Sequence, residues 1–261
     1  MYIRHLPGSS DVPVVFLHGF LETGAAWLPW VEGLGWDTHL FIPDLPGHGR
    51  TVVWSENTDF SDWARGLFEN IQRQVKNFRR LQVIGHSMGG YLALEMAALF
   101  PDQMEKLILF HSTPFPDTPQ QITRRQKQIE LIKQGRSRLL IRNVGGSMFA
   151  PHHRHHLENL AQELNHQAHS CSDLGMLRTL NAIMNRRNFV PILERMAHQT
   201  LFISGGCDPF MPEDHIRSVT ERFPALHAHH FPSAGHASFL EQPAEARSVV
   251  DNFTGNGTRE G

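Results

Sequence analysis

Two cysteines in 261 residues, Cys171 and Cys207, are too few and too far apart for a disulfide framework or a paired-thiolate metal knot. That scarcity fits a reducing compartment. Net charge is nearly absent as well. The formal value is −2 with histidines neutral, which gives no strong field for nucleic acid or an anionic membrane. No apolar run approaches the ~18 residues of a membrane span. Met1 to Gly8 lacks the apolar stretch of a secretory leader. Internal repeats are missing too. The expectation is a cytoplasmic protein, monomer or homodimer, with no nucleic-acid or membrane partner. Asn252-Phe253-Thr254 and Asn256-Gly257-Thr258 fit a glycosylation pattern that has meaning only after secretion, and we read them as incidental.

What is present is a regular alternation. Short apolar runs recur at Val14–Leu17, Leu40–Ile42, Leu81–Ile84, Leu107–Phe110, Leu201–Ile203 and Ala225–Phe231. Runs of that length without polar alternation suit strands buried on both faces of a parallel sheet. Helix-length patterns separate them at Ala25–Leu34, Phe60–Phe78, Ser87–Phe100, Pro212–Phe223 and Pro243–Phe253. Strand alternating with helix predicts an α/β fold with a mostly parallel sheet flanked by helices. Residues 114–195 break the alternation: they carry several helical patterns and no convincing strand. That is too long for a connecting loop. The segment is expected to be a helical cap subdomain inserted between two late strands, over a core formed by residues 1–113 and 196–261.

The chemistry concentrates where strands end. Gly85-His86-Ser87-Met88-Gly89 places a serine between two glycines at a strand-to-helix turn, where a hydroxyl can be presented above the sheet edge. A serine needs a base. His236, in Ser233-Ala234-Gly235-His236-Ala237, follows the last strand at that same edge, whereas His227, His229 and His230 fall within the strand. Asp208 follows the strand before it and supplies an acid to orient the imidazole. Asp117, after an earlier strand, is the alternative acid. The backbone N–H groups of Met88 and Phe20 are the expected oxyanion donors, with Gly19 permitting close approach and His18 holding the loop.

"FLHGF", "DLPGHG", "GHSMGG", "GGCDPFMP" and "SAGHASFLEQP" together resemble the α/β-hydrolase superfamily, over nearly the whole chain. The likeness is greatest to small bacterial serine carboxylesterases. It implies the α/β-hydrolase fold, the triad Ser87, Asp208 and His236, and hydrolysis of short or medium acyl esters, a small-molecule substrate class, without cofactor or metal. The leading antiparallel hairpin of the superfamily is expected to be shortened or missing. A menaquinone-pathway synthase or an acyltransferase on the same triad is the rival reading, and a non-catalytic binding protein a third. The synthase resembles a basic pocket. Here Arg124, Arg125, Arg136, Arg138 and Arg142 are read instead as a solvated helix face.

The substrate pocket is expected to draw on Gly19, Leu21, Phe115, Met148, Phe149, Met176, Phe210 and Phe239, whose apolar shapes suit an acyl chain. His152 and His156, one turn apart if helical, invite a zinc reading. No third ligand is placed beside them, so a solvated face is expected.

Overall fold

Seven strands make one sheet in the order β1-β3-β2-β4-β5-β6-β7. They are β1 (Ile3–Leu6), β2 (Ser10–Leu17), β3 (Thr38–Pro43), β4 (Leu81–His86), β5 (Met104–Phe110), β6 (Thr200–Gly205) and β7 (His227–Phe231). All neighbours are parallel except β1, which runs antiparallel to β3. That edge strand is what remains of a leading hairpin, and its half-exposed alternation left no apolar run to notice. The structure, a computed structural model, describes residues 1–52, 59–142 and 144–257. Thr258 of the second glycosylation pattern lies outside them.

Side-chain alternation explains why the strands read as unbroken apolar runs. Val15, Leu17, Val83, Leu107 and Leu109 face one layer, while Val14, Phe16, Ile84, Ile108 and Phe110 face the other. Successive strand residues point to opposite faces, so a sheet covered on both sides needs apolar residues at every position. On one face lie α2 (Phe60–Gln74) and α3 (Met88–Leu99); on the other lie α1 (Leu28–Val31) and the two C-terminal helices. Asp59 starts α2 with a capping box, accepting from the Ser61 and Asp62 amides.

Between β5 and β6 come α4 (Pro119–Lys133), α5 (Arg138–Ile141), α6 (Val144–Met148), α7 (Glu158–His169), α8 (Asp173–Met184) and α9 (Val190–Met196). Ile132, Ile141, Ala168, Met176 and Leu180 give this segment an apolar cluster of its own, joined by Leu21. It is not wholly separate: Leu193 and Met196 of α9 pack into the α3 layer, and Met148 and Phe149 into the opposite one. Pro151 to Leu157 form turns rather than the first part of a helix. His152 and His156 are therefore not a one-turn pair, and among the described residues they join no metal-competent cluster. After β6 the chain continues through α10 (Glu213–Arg222), and after β7 through α11 (Ser238–Glu241) and α12 (Pro243–Thr254). No helix among the described residues is long and apolar enough to cross a membrane.

Candidate active site

Ser87 sits between the end of β4 and the start of α3 with φ 51 and ψ −113. A left-handed φ at a non-glycine residue costs of order 1–3 kcal/mol and persists only where its surroundings enforce it. Here they do. Ser87 N–H donates to the Phe110 carbonyl at 2.9 Å, and the Ser87 carbonyl accepts from Ser112 Oγ at 2.8 Å. A Cβ at Gly89 would lie 2.2 Å from the Leu17 carbonyl oxygen, and one at Gly85 2.5 Å from the Gly89 backbone. The flanking glycines are there because backbone occupies the space a side chain would need.

Asp208 follows β6 and His236 follows β7, so the parallel sheet brings both to the edge that carries Ser87. His236 Nδ1 donates to Asp208 Oδ2 at 2.7 Å, which leaves the Nε2 lone pair available. The other carboxylate oxygen, Oδ1, accepts the Phe210 and Met211 amides at 2.8 and 3.1 Å. Burial alone would raise the Asp208 carboxyl. The His236 charge, with hydrogen bonds from His111 and His236, overrides it and holds the group well below the usual carboxylate range. Asp117, the alternative acid, is committed elsewhere: Arg186 binds it at 2.7 Å and Arg125 pairs with it as well.

Two buried groups that sequence reasoning passed over join these elements. Glu22 accepts Gly19 N–H at 2.7 Å and His86 Nδ1 at 3.0 Å. The opposite nitrogen of His86 donates to the His236 carbonyl at 2.7 Å. One carboxylate thus ties the loop after β2, the serine turn and the His236 loop together. Both ring nitrogens of His86 face acceptors, so the ring carries both protons and pairs with Glu22; burial would lower this imidazole, but the Glu22 charge and hydrogen bond raise it. His18 locks the loop from the other side. Its Nε2 accepts Leu45 N–H at 2.9 Å, so Nδ1 donates to the Gly19 carbonyl at 2.8 Å. Burial pushes this imidazole down to about 4.

The second missed group is His111, at the end of β5, whose Nδ1 lies 3.1 Å from Asp208 Oδ2. Its position was the available signal, since it follows a strand at the edge that supplies Ser87, Asp208 and His236.

A cavity of about 460 Å³ opens over Ser87 and His236. Phe20 lines it with three of the expected pocket residues, Leu21, Met148 and Phe210, but the other expected pocket residues do not. Met176 is spent in the core of the inserted helices. Phe149 and Phe239 are buried against the sheet, with Phe239 stacked on Trp27 at 4.2 Å. Phe115 packs edge-on to His215, and the Gly19 amide is taken by Glu22. In their place the wall presents polar and cationic groups, among them Gln121, Arg124, Arg125, Gln128, Arg154 and His215. Arg136, Arg138 and Arg142 are exposed as expected, but Arg124 and Arg125 turn to the cavity. Arg124 lies 5.4 Å above the Phe210 ring.

The inserted segment is also fastened to the His236 loop. Glu241 accepts Gly235 N–H at 2.7 Å through one oxygen, and Ala150 N–H at 2.8 Å and His153 Nδ1 at 2.9 Å through the other. His236 N–H itself donates to the Met148 carbonyl at 2.6 Å.

Comparison with known proteins returns one consistent architecture. An esterase of Thermogutta terrifontis, solved with malate bound, superposes with a TM-score of 0.87 at 20% identity, over 97% of this chain and 92% of that one. A pimeloyl-[acyl-carrier protein] methyl ester esterase of Aeromonas salmonicida is 26% identical over 93% of this chain and 95% of its own length. The abhydrolase domain-containing protein abhd-5.2 of Caenorhabditis elegans is 33% identical over 52% of this chain, and the match spans about a third (32%) of that relative. The sequence profile of the alpha/beta hydrolase fold matches residues 12–243. With the sheet order and the strand-end site already described, that match places the chain in the alpha/beta hydrolase family.

Proposed function

We propose that the chain is a serine carboxylesterase acting on short or medium acyl esters. The carrying observation is the His236–Asp208 hydrogen bond, which protonates Nδ1 and leaves Nε2 as a base in the cavity that holds Ser87. In this reading His236 takes the Ser87 proton as Oγ attacks the ester carbonyl, and Asp208 stabilises the imidazolium. Met88 opens α3, where the first amides have no intrahelical partner, and its N–H with that of Phe20 would hold the oxyanion. The imidazolium protonates the departing alcohol. Water, activated by the same base, then releases the acid. Residues 114–195 act as the cap. The cavity volume supports an acyl group of modest length, and the ester chemistry of the Aeromonas relative supports the reaction class.

Two linked measurements test this. Hydrolysis of p-nitrophenyl esters from acetate to palmitate is expected to favour the short members. A fluorophosphonate is expected to label one equivalent of protein, on the peptide carrying Ser87, and to stop turnover. Turnover that survives full labelling, or label on another residue, would refute the assignment.

The arginine wall favours a second reading of the substrate: an ester bearing an anion away from the reacting bond. Monomethyl adipate should then be cleaved with a higher kcat/KM than methyl hexanoate. The Arg124→Gln, Arg154→Gln double variant should erase a preference of about tenfold, the size of one modest charge-assisted hydrogen bond. Equal rates in the unaltered protein would dismiss this reading and leave the neutral ester in place.

A further inference from the structure

His111 is fully buried, has φ 51, and plays no part in the steps above. Its hydrogen bonds fix its proton. Ser238 N–H donates to His111 Nε2 at 3.2 Å, with Ser238 Oγ 2.8 Å from the same nitrogen. Nε2 is therefore an acceptor, and the single ring proton sits on Nδ1, aimed at Asp208 Oδ2 3.1 Å away. A doubly protonated ring would set Nε2–H against the Ser238 amide. Burial keeps the ring neutral, pushing it down to about 4 against the opposing pull of Asp208.

Asp208 Oδ2 therefore serves two imidazoles at once, 2.7 Å from His236 and 3.1 Å from His111. Oδ1 is already occupied by two backbone amides. A carboxylate oxygen that accepts a second N–H holds its charge more stably and pulls less on the first. We propose that His111 is a positioning residue for the esterase reaction: through Oδ2 of Asp208 it fixes the carboxylate against His236 and lowers the basicity of His236. The proposal deepens the esterase reading, on which its kinetic test rests.

The other titratable and charged groups around this cluster are few. The His86 ring, paired with Glu22, lies 5.0 Å from that of His236. His215, bonded to Thr113, feels the charges of Arg186 and Asp208, and Glu241 reaches the His236 loop through Gly235. None of these is altered in the test.

The test compares pH profiles of kcat/KM for the unaltered protein, His111→Ala and His111→Asn on one p-nitrophenyl ester. Alanine removes the donor, leaves Oδ2 to His236 alone and stabilises the imidazolium. The acidic limb is then expected to move up by about one pH unit, with kcat falling more than KM changes. Asparagine tolerates the left-handed backbone and offers an amide N–H near the place of Nδ1, so its limb stays close to that of the unaltered protein. A purely structural role would lower the unfolding temperature of both variants and move neither limb. Coincident limbs in the alanine variant and the unaltered protein would overturn the proposal.

A second measurement needs neither a variant nor turnover. Nitrogen NMR of histidine-labelled protein at neutral pH should show His111 as the neutral Nδ1–H tautomer. A charged ring, or the Nε2–H tautomer, overturns the inference. Absence of ester turnover would instead count against the esterase reading, so the two failures are distinct.

Discussion

If Asp208 orients the base as proposed, replacing it with asparagine is expected to lower kcat about 10⁴-fold, because the new amide cannot satisfy the four N–H groups that converge on this side chain. Phe210 and Met211 donate to one oxygen, His236 and His111 to the other. If the amide oxygen faces the two backbone donors, its NH2 points at two imidazole nitrogens that both carry protons. If it faces the imidazoles, the NH2 meets two backbone N–H groups. The cheapest escape is for His236 to move its proton to Nε2 and accept at Nδ1. The nitrogen that should take the Ser87 proton is then already protonated, and general-base catalysis stops. Steady-state kinetics on a p-nitrophenyl ester, with circular dichroism to verify folding, gives the answer. A folded variant within tenfold of the parent would show that the Asp208 contact is dispensable.

The same substitution changes acid stability. Asp208 is ionised in the fold well below the ordinary carboxylate range, so it contributes stability above the unfolded value that disappears as pH falls through the depressed one. The asparagine variant loses that contribution at neutral pH and should show a shallower loss on acidification.

Glu22→Gln is expected to have the largest effect on stability, about 3–5 kcal/mol, because it leaves the His86 charge buried without its counter-ion. Both partners are buried, with Glu22 also holding Gly19 N–H. Burial would raise the Glu22 carboxyl, but the His86 charge and hydrogen bonds from His86 and Gly19 hold it low. Its share of stability is therefore present above the unfolded carboxylate range and lost as pH falls. His86 is raised above its ordinary 6.5, so its share is complete below that value and lost as pH rises through the raised one. Urea unfolding across this range should find the widest gap between parent and variant in mildly acid solution, narrowing as His86 deprotonates. A gap independent of pH would mean that the two groups are not an ion pair in the folded state.

Sequence order and strand-end position single out Ser87, Asp208 and His236 as candidates, and the fold carries all three to one edge because parallel strands deliver their C-terminal loops there. The same logic extends to His111, which directly follows "LILF" at that edge and was not singled out. Glu22 and Glu241 were not legible. Each acts through partners brought in by the fold, His86 for one and Ala150 for the other, 64 and 91 positions away. The pocket failed for a different reason. Apolar type does not reveal which way a side chain points: Met176 and Phe239 fill cores while Arg124 and Arg125 turn toward the cavity. The histidine-rich patch is exposed as expected, but Pro151 starts a run of turns that helical spacing cannot describe.

Glu241 is shared between the segment that follows α6 and the His236 loop, and this limits how far the two can separate. Lifting the stretch from Met148 to His153 would break the hydrogen bonds from Ala150, His153 and the His236 amide together, unseating the loop that carries the base. The stretch and the His236 loop are therefore coupled, and a movement of one is a movement of the other.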